Sequence, residues 1–197
     1  EIEQYAMKDG WICISTKDMS VGVYNKTLFV YNIQLKDEVT CLDIAPSFDL
    51  VAIGTKSSNI LLVSLFSGSI NHKLGMSAIP KKILISPNWG FVLALCLAGA
   101  DCILLLYTVN GSFMTSIPFS SSIDAWCLFT SREGFDYAAI CCSNGDIYIY
   151  ELQSLVIGDP VYTGFRSITS VSFIPSNNVL VITSLDGKFV RLPIDLP

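Results

Sequence analysis

Apolar residues in this chain show no helical period. They fall into short runs of two kinds, separated by clusters of Gly, Asn, Asp, Ser and Pro. Runs such as "DIYIYE" (146–151) and "KFVRLP" (188–193) alternate, which predicts strands with one buried and one wet face. Others are apolar throughout, which predicts strands buried on both faces. The extreme case is "FVLALCLAGADCILLLYTV" (91–109), nineteen residues with one charge, Asp101. A membrane helix needs about 20 such residues. Burying Asp101 near the centre of such a helix costs about 2.5–3.5 kcal/mol on insertion scales. A turn at Gly99-Ala100-Asp101 divides the run instead into two strands of a hairpin.

The division is supported by repetition. Four segments share one order of strand, turn, very apolar strand, turn, strand: residues 39–68, 80–111, 123–154 and 168–195. "FVLALCLAG" aligns with "LVAIGTKSS" and "DYAAICCSN", and "DCILLLYTV" with "NILLVSLFS" and "DIYIYELQS". Ser143-Asn144-Gly145-Asp146 and Leu185-Asp186-Gly187 occupy the turn in sister repeats and have hairpin chemistry. From Pro46 the first turn recurs at Pro87, Ser131 and Pro175, after 41, 44 and 44 residues. A period of about 40–45 with four strands per unit is that of a β-propeller blade. "WICISTKDMSVGVYNKTLFVYNIQL" reads as the latter part of a further unit. The expectation is therefore an all-β chain, a WD-repeat-like β-propeller or partial propeller of about five four-stranded blades. The units are about 6–38, 39–76, 79–119, 122–163 and 167–197, within one domain spanning 1–197. The last repeat stops after its third strand, and "EIEQYAM" is the candidate for its missing outer strand. Pro80 and Pro118 are expected between units, Pro160 near a unit's end, and Gly54, Gly99 and Gly145 at hairpin turns.

Composition narrows the function. Twelve basic against seventeen acidic side chains, with no basic cluster, exclude phosphate-backbone recognition, so no nucleic acid is expected. The seven cysteines are odd in number and lack C-x-x-C spacing. Sitting in runs such as "WICIS" and "VTCLDI", they read as buried reduced thiols of an intracellular protein. The N-terminus has no basic and apolar leader. It also lacks an initiator Met, which suggests a piece of a longer chain.

The segments "SPNWGFVLAL", "YTVNGSFMTSIPF", "IDAWCLFTSREGFDYAAICCSNGDIYIYE" and "ITSVSFIP" resemble the C-terminal propeller of BEACH-domain, neurobeachin-like proteins, over most of residues 39–195. The resemblance to WD repeats in general is degenerate. The usual Gly-His is missing, and the Trp-Asp position reads Val63-Ser64, Tyr107-Thr108 and Tyr150-Glu151. What the BEACH resemblance implies is a non-catalytic scaffold of vesicle trafficking or autophagy. Such a scaffold is cytoplasmic, peripheral to vesicle membranes through domains not in this chain, and has no membrane span. Its partners would be proteins held on the propeller rim and other domains of a larger parent.

No catalytic constellation emerges, so the chain is expected not to be an enzyme and to need no cofactor or metal. The one histidine, His72, reads as an outer-strand or turn residue. Asp101, Asp146 and Asp186 recur at equivalent turns. Their alternative reading is a ring of carboxylates in a small propeller lectin or glycosidase-like enzyme, against the ordinary role of Asp in tight turns. Partner surfaces favour Trp, Tyr and Arg. The candidate contact residues are therefore Trp89 in the Ser86-Pro87 turn, Arg132, Phe135 and Tyr137 in "SREGFDY", and Phe165 and Arg166 in "YTGFRS". Asp124 and Asp136 read as solvated partners for Arg132, and Trp11 and Trp126 as core.

Overall fold

Five antiparallel sheets follow one another along the chain. The computed structural model describes residues 1–98, 101–165 and 167–195, without the side chains of Ala98 and Asp101. The first sheet is β1 (Ile2–Lys8), β2 (Trp11–Thr16), β3 (Ser20–Asn25) and β4 (Leu28–Gln34). The second is β5 (Val39–Ala45), β6 (Leu50–Thr55), β7 (Asn59–Ser64) and β8 (Ile70–Gly75). The third is β9 (Ile79–Ile85), β10 (Val92–Ala98), β11 (Asp101–Tyr107) and β12 (Phe113–Phe119). In the fourth, β13 (Ile123–Thr130), β14 (Asp136–Cys142) and β15 (Asp146–Glu151) are followed by an outer strand split into β16 (Val156–Ile157) and β17 (Val161–Tyr162). The fifth has three strands, β18 (Ile168–Ile174), β19 (Val179–Ser184) and β20 (Phe189–Pro193). The chain is all-β, of blade-like repeats, and no α-helix occurs among the described residues. Among the described residues no helix is long and apolar enough to cross a membrane. The nineteen-residue apolar run is the neighbouring strands β10 and β11. Its turn residues Gly99 and Ala100 lie outside the described residues.

Three expectations are corrected. "EIEQYAM" is the first strand of its own sheet: β1 pairs with β2 from Lys8↔Trp11 to Ile2↔Thr16, so the first unit is complete from Ile2. Gly54 lies inside β6, opposite Ile60 and Cys41, and not at a turn. Pro80 and Pro118 lie within β9 and β12 rather than between units. These are the two edge strands of the third sheet, where a missing N–H leaves no ladder partner unsatisfied.

A feature invisible in the apolar pattern recurs in every sheet. The pairing of the first strand slips once, leaving Glu3, Thr40, Lys81, Asp124 and Thr169 without a partner across the ladder. Each is a bulge, which bends its strand and increases its twist. All five bulge residues are polar. Thr40 shows one use of this, since its hydroxyl donates to the carbonyl of Pro80 over 2.6 Å.

The contacts divide the chain into two compact units. One comprises Glu1–Ile85, Gly90–Gly99 and Ile103–Pro118, and the other Ser86–Trp89, Ala100–Cys102 and Phe119–Pro197. In the first unit, Cys13, Val21 and Val23 of the first sheet pack on Ile44, Val51, Ile53 and Val63 of the second. The opposite face of the second sheet, including Ala52, Ile60 and Leu62, packs on Ile83, Val92 and Ala94. In the second unit, Phe129, Ala139, Cys141 and Ile147 pack on Val171, Leu180 and Ile182. Phe129 stacks between Tyr137 and Phe173, with ring centroids 5.5 and 4.2 Å away. Burying each large apolar side chain contributes roughly 1.5–3 kcal/mol. The second sheet is thus buried on both faces, which explains the continuous apolar runs of β6 and β7. All seven cysteines are thiols, six of them buried.

Candidate functional site

The second unit assembles one loop cluster around a buried carboxylate. Asp136, the first residue of β14, is 0% exposed. One of its oxygens accepts the backbone N–H groups of Asn88 and Trp89 over 3.1 and 2.9 Å, and the other accepts the Thr130 hydroxyl over 2.7 Å. Thr130 and Asp136 face each other across the β13–β14 ladder at the mouth of the turn they close. That turn is Ser131–Phe135. Its ends are joined by Ser131 N–H to the Phe135 carbonyl at 2.8 Å and by Phe135 N–H to the Ser131 hydroxyl at 3.2 Å. Gly134 takes φ 90° there, a conformation that other residues rarely adopt. Its carbonyl accepts the indole N–H of Trp89 at 3.0 Å and the side-chain amide of Asn88 at 3.4 Å.

Trp89 is thus held by both its backbone and its indole nitrogen, yet 55% of it is exposed. Its polar handle is already satisfied, and what it offers is a fixed aromatic face. Arg132, on the same turn, is exposed and donates from Nη2 to the carbonyl of Ser176 at 2.8 Å. The expectation that Asp136 is a solvated partner of Arg132 is therefore corrected. Asp136 is the buried anchor of the tryptophan loop, and Asp124 is the exposed bulge residue of β13.

The other sequence candidates separate. Phe135 is half-buried and packs on the core of the second unit. Tyr137 is only 3% exposed, stacked on Phe129, and its hydroxyl is buried without a hydrogen-bond partner. Burial, with the Glu151 and Glu133 carboxylates adding to it, pushes its phenol above the ordinary range. Phe165 lies at the opposite end of the fourth sheet, its carbonyl against Gly145 in the β14–β15 turn. That is the length of β14 away, roughly 20 Å for a strand of this size. It lines an open hollow of about 550 Å³ with Leu185, Asp186 and Lys188. Arg166 lies outside the described residues. Trp126 is buried and Trp11 half-buried against Phe66, at 5.5 Å between ring centroids.

The recurrent turn aspartates are engaged locally. Asp146 accepts the Asn144 side-chain amide at 2.7 Å. Asp186 pairs with Lys188 at 2.6 Å and accepts the Ser184 hydroxyl, contacts that hold its carboxyl down at about 2. The side chain of Asp101 lies outside the described residues. His72 is exposed on the outer strand β8. Among the described residues no group of three or more His, Cys, Asp or Glu is placed to hold a metal ion.

No protein-family model and no curated protein matches this chain. Among solved structures it is similar to the computationally designed Ika8 protein, with TM-score 0.75 and 16% identity over 98% of this chain. It spans 58% of that protein's length. It is also similar to the computationally designed Ika4 protein, with TM-score 0.63 and 16% identity over 82% of this chain and 94% of that one. At such identity the likeness is one of fold, an all-β chain of blade-like antiparallel sheets of the β-propeller or partial-propeller kind.

Proposed function

We propose that this chain is a non-catalytic protein-interaction module whose contact centre is the Trp89 loop cluster. The observation that carries this reading is Trp89 itself, a large aromatic exposed to solvent yet fixed at two points by Asp136 and Gly134. Rigid aromatic anchors dominate partner binding because they bury much area while losing little conformational freedom. Arg132 beside it supplies a charged contact of the kind enriched at such centres. The finer reading is a C-terminal propeller of a BEACH-type trafficking scaffold in the cytoplasm, with other domains of a larger parent as neighbours. It rests on the sequence resemblance over residues 39–195.

The test is a photoreactive residue at the exposed Glu133, with a second at Lys73 as control, in cells expressing the chain. The expected result is a discrete adduct from Glu133 alone, with a component of the membrane-trafficking machinery, lost on Trp89→Ala. No adduct, or one unaffected by Trp89→Ala, overturns the reading.

A further inference from the structure

In the first unit, a groove of about 310 Å³ runs between the β4–β5 link and the outer strands of the second sheet. Its floor is apolar. Leu61 of β7 is the cross-strand partner of Lys73 on β8, and Ile70 pairs with Val63, two places along from Leu61. Cross-strand partners share a face, and Leu61 and Val63 pack toward the first sheet. That face therefore carries Leu61, Ile70 and Lys73 into the groove, where Leu35 meets them from the link.

The link is tied down on both sides. The Leu35 N–H donates to the Met19 carbonyl at 2.9 Å, and the Lys56 N–H to the Glu38 carbonyl at 3.0 Å. Asp37 accepts the N–H of Glu38 on one oxygen at 2.9 Å and that of Ser57 on the other at 2.5 Å. Hydrogen bonds from Ser57 hold its carboxyl below the ordinary carboxylate range, so it is ionised and already engaged. Glu38 is taken by Lys56 at 2.7 Å. Lys36 and Lys73 line the groove with exposed side chains, and among the described residues neither is in an ion pair. Two cations against the one carboxylate of Asp37 leave the groove an uncompensated positive charge, in a chain whose net charge is -5.

We infer that this groove binds a small amphipathic monocarboxylate, its carboxylate held by Lys36 and Lys73 and its apolar body lying on Leu35, Leu61 and Ile70. Small-molecule sites are mostly apolar hollows of this size, in which a few polar groups fix the ligand's orientation. A single anionic head balances the uncompensated charge, and the flexible four-carbon lysine stems let both ammonium groups reach it. A phosphate monoester, at a charge of about −1.5 to −2, would overcompensate the site. The volume sets the body, since it holds about ten heavy atoms at roughly the 30 Å³ that a water molecule occupies in the liquid. The groove belongs to the first unit and the Trp89 loop to the second, so this inference goes beyond the proposed protein contact and either can fail alone.

Octanoate, an acid of this size, is the probe, and the methyl signals of the whole chain are followed by NMR as it is added. It is expected to shift those of Leu35, Leu61 and Ile70 saturably, with a Kd of about 0.1–1 mM for so small a ligand. The methyl groups of Leu180 and Ile182 in the second unit should stay in place. Octanamide, its neutral isostere, should bind about fivefold more weakly, the loss expected of two exposed charge pairs. Octylammonium should not bind measurably. Lys36→Gln with Lys73→Gln should abolish the preference for octanoate over octanamide, and Lys36→Arg with Lys73→Arg should keep it. Both lysines are exposed, so these variants retain the fold. No saturable shift at the three methyl-bearing residues, or equal shifts in both units, overturns the inference without recourse to any variant. So does octanamide or octylammonium binding the wild-type protein as tightly as octanoate.

Discussion

The backbone N–H of Trp89 donates to the carboxylate of Asp136 over 2.9 Å, and that carboxylate is fully buried. The exposed side chain and its buried anchor are forty-seven residues apart in sequence. Asp136 also accepts from Asn88 and Thr130, so three donors depend on one acceptor group. Replacing Asp136 with Ala leaves them unpaired at a part-buried site. At about 1–3 kcal/mol per unsatisfied buried group, partly relieved where the loop can open to water, the expected loss is about 2–4 kcal/mol in urea unfolding. Trp89 emission should shift toward that of a mobile, solvated indole even in the folded protein. A stability within 0.5 kcal/mol of wild type would show that the loop is held by other contacts.

The thiols give a second prediction. Burial pushes Cys13, Cys41 and Cys141 up to about 12 and Cys96 up to about 11, with Asp43 adding to the effect at Cys13. Thiol reagents attack the thiolate, so these groups are inert near neutral pH while the sheets stay closed. Cys127 is the one half-buried cysteine. In native protein at pH 8, titration with a thiol reagent should consume one equivalent quickly. The other six should follow only at the rate of unfolding.

Two aspartates should move stability with pH in opposite directions. Lys188 and the Ser184 hydroxyl hold Asp186 at about 2, below its ordinary 3.8. Its contribution is therefore present above pH 3.8 and lost as pH falls through about 2. Burial raises Asp43 above the same ordinary value, outweighing the hydrogen bond it accepts from the Ile85 N–H at 2.7 Å. Its contribution is present below pH 3.8 and lost as pH rises through its folded-state value. Melting temperatures between pH 6 and pH 2 check the sign. Asp186→Asn should flatten the acid loss, while Asp43→Asn should steepen it. Since Asp186 is exposed, added salt should shrink its effect and leave that of Asp43.

How far the sequence reveals these features depends on how local their causes are. β10 and β11 were legible because nearly every side chain along them is buried, so the apolar run and its turn chemistry report directly on the strand pair. Trp89 was legible as a loop aromatic, since Ser86-Pro87 marks the turn. Asp136 was not. In "EGFDY" it has the spacing of a solvated turn residue, and its three donors include two from a loop that only the tertiary fold brings near. Tyr137 was misplaced because β14 is buried along its whole length, so side chains on both faces of the strand enter a packed interior. Phe165 and Trp89 were grouped as rim residues, yet they sit at opposite ends of the fourth sheet. The bulge residues Glu3, Thr40, Lys81, Asp124 and Thr169 carry a repeat signal, but it is one of polarity alone, and it becomes visible only when the ladder register is known.

Gly54 shows how tightly these sheets meet in the first unit. It sits within β6 at an ordinary strand conformation, so no turn requires it. A Cβ built there falls 2.5 Å from the Cys41 sulfur, 2.9 Å from Pro80 Cγ and 3.2 Å from Ile83 Cδ1. Three neighbours would have to give way at once, and one of them is a proline ring on β9. Alanine normally favours a strand over glycine by reducing the freedom of the unfolded chain, a gain of about 0.4–1 kcal/mol. Overpacking a filled core costs about 1–3 kcal/mol and here outweighs that gain. Gly54→Ala should therefore destabilise the protein by about 1–2 kcal/mol in urea unfolding. Cys41→Ala removes the nearest atom, so in the Gly54→Ala background it should recover part of the loss. That coupling separates steric crowding from a backbone effect, because a purely conformational cost at Gly54 would be indifferent to the side chain at position 41.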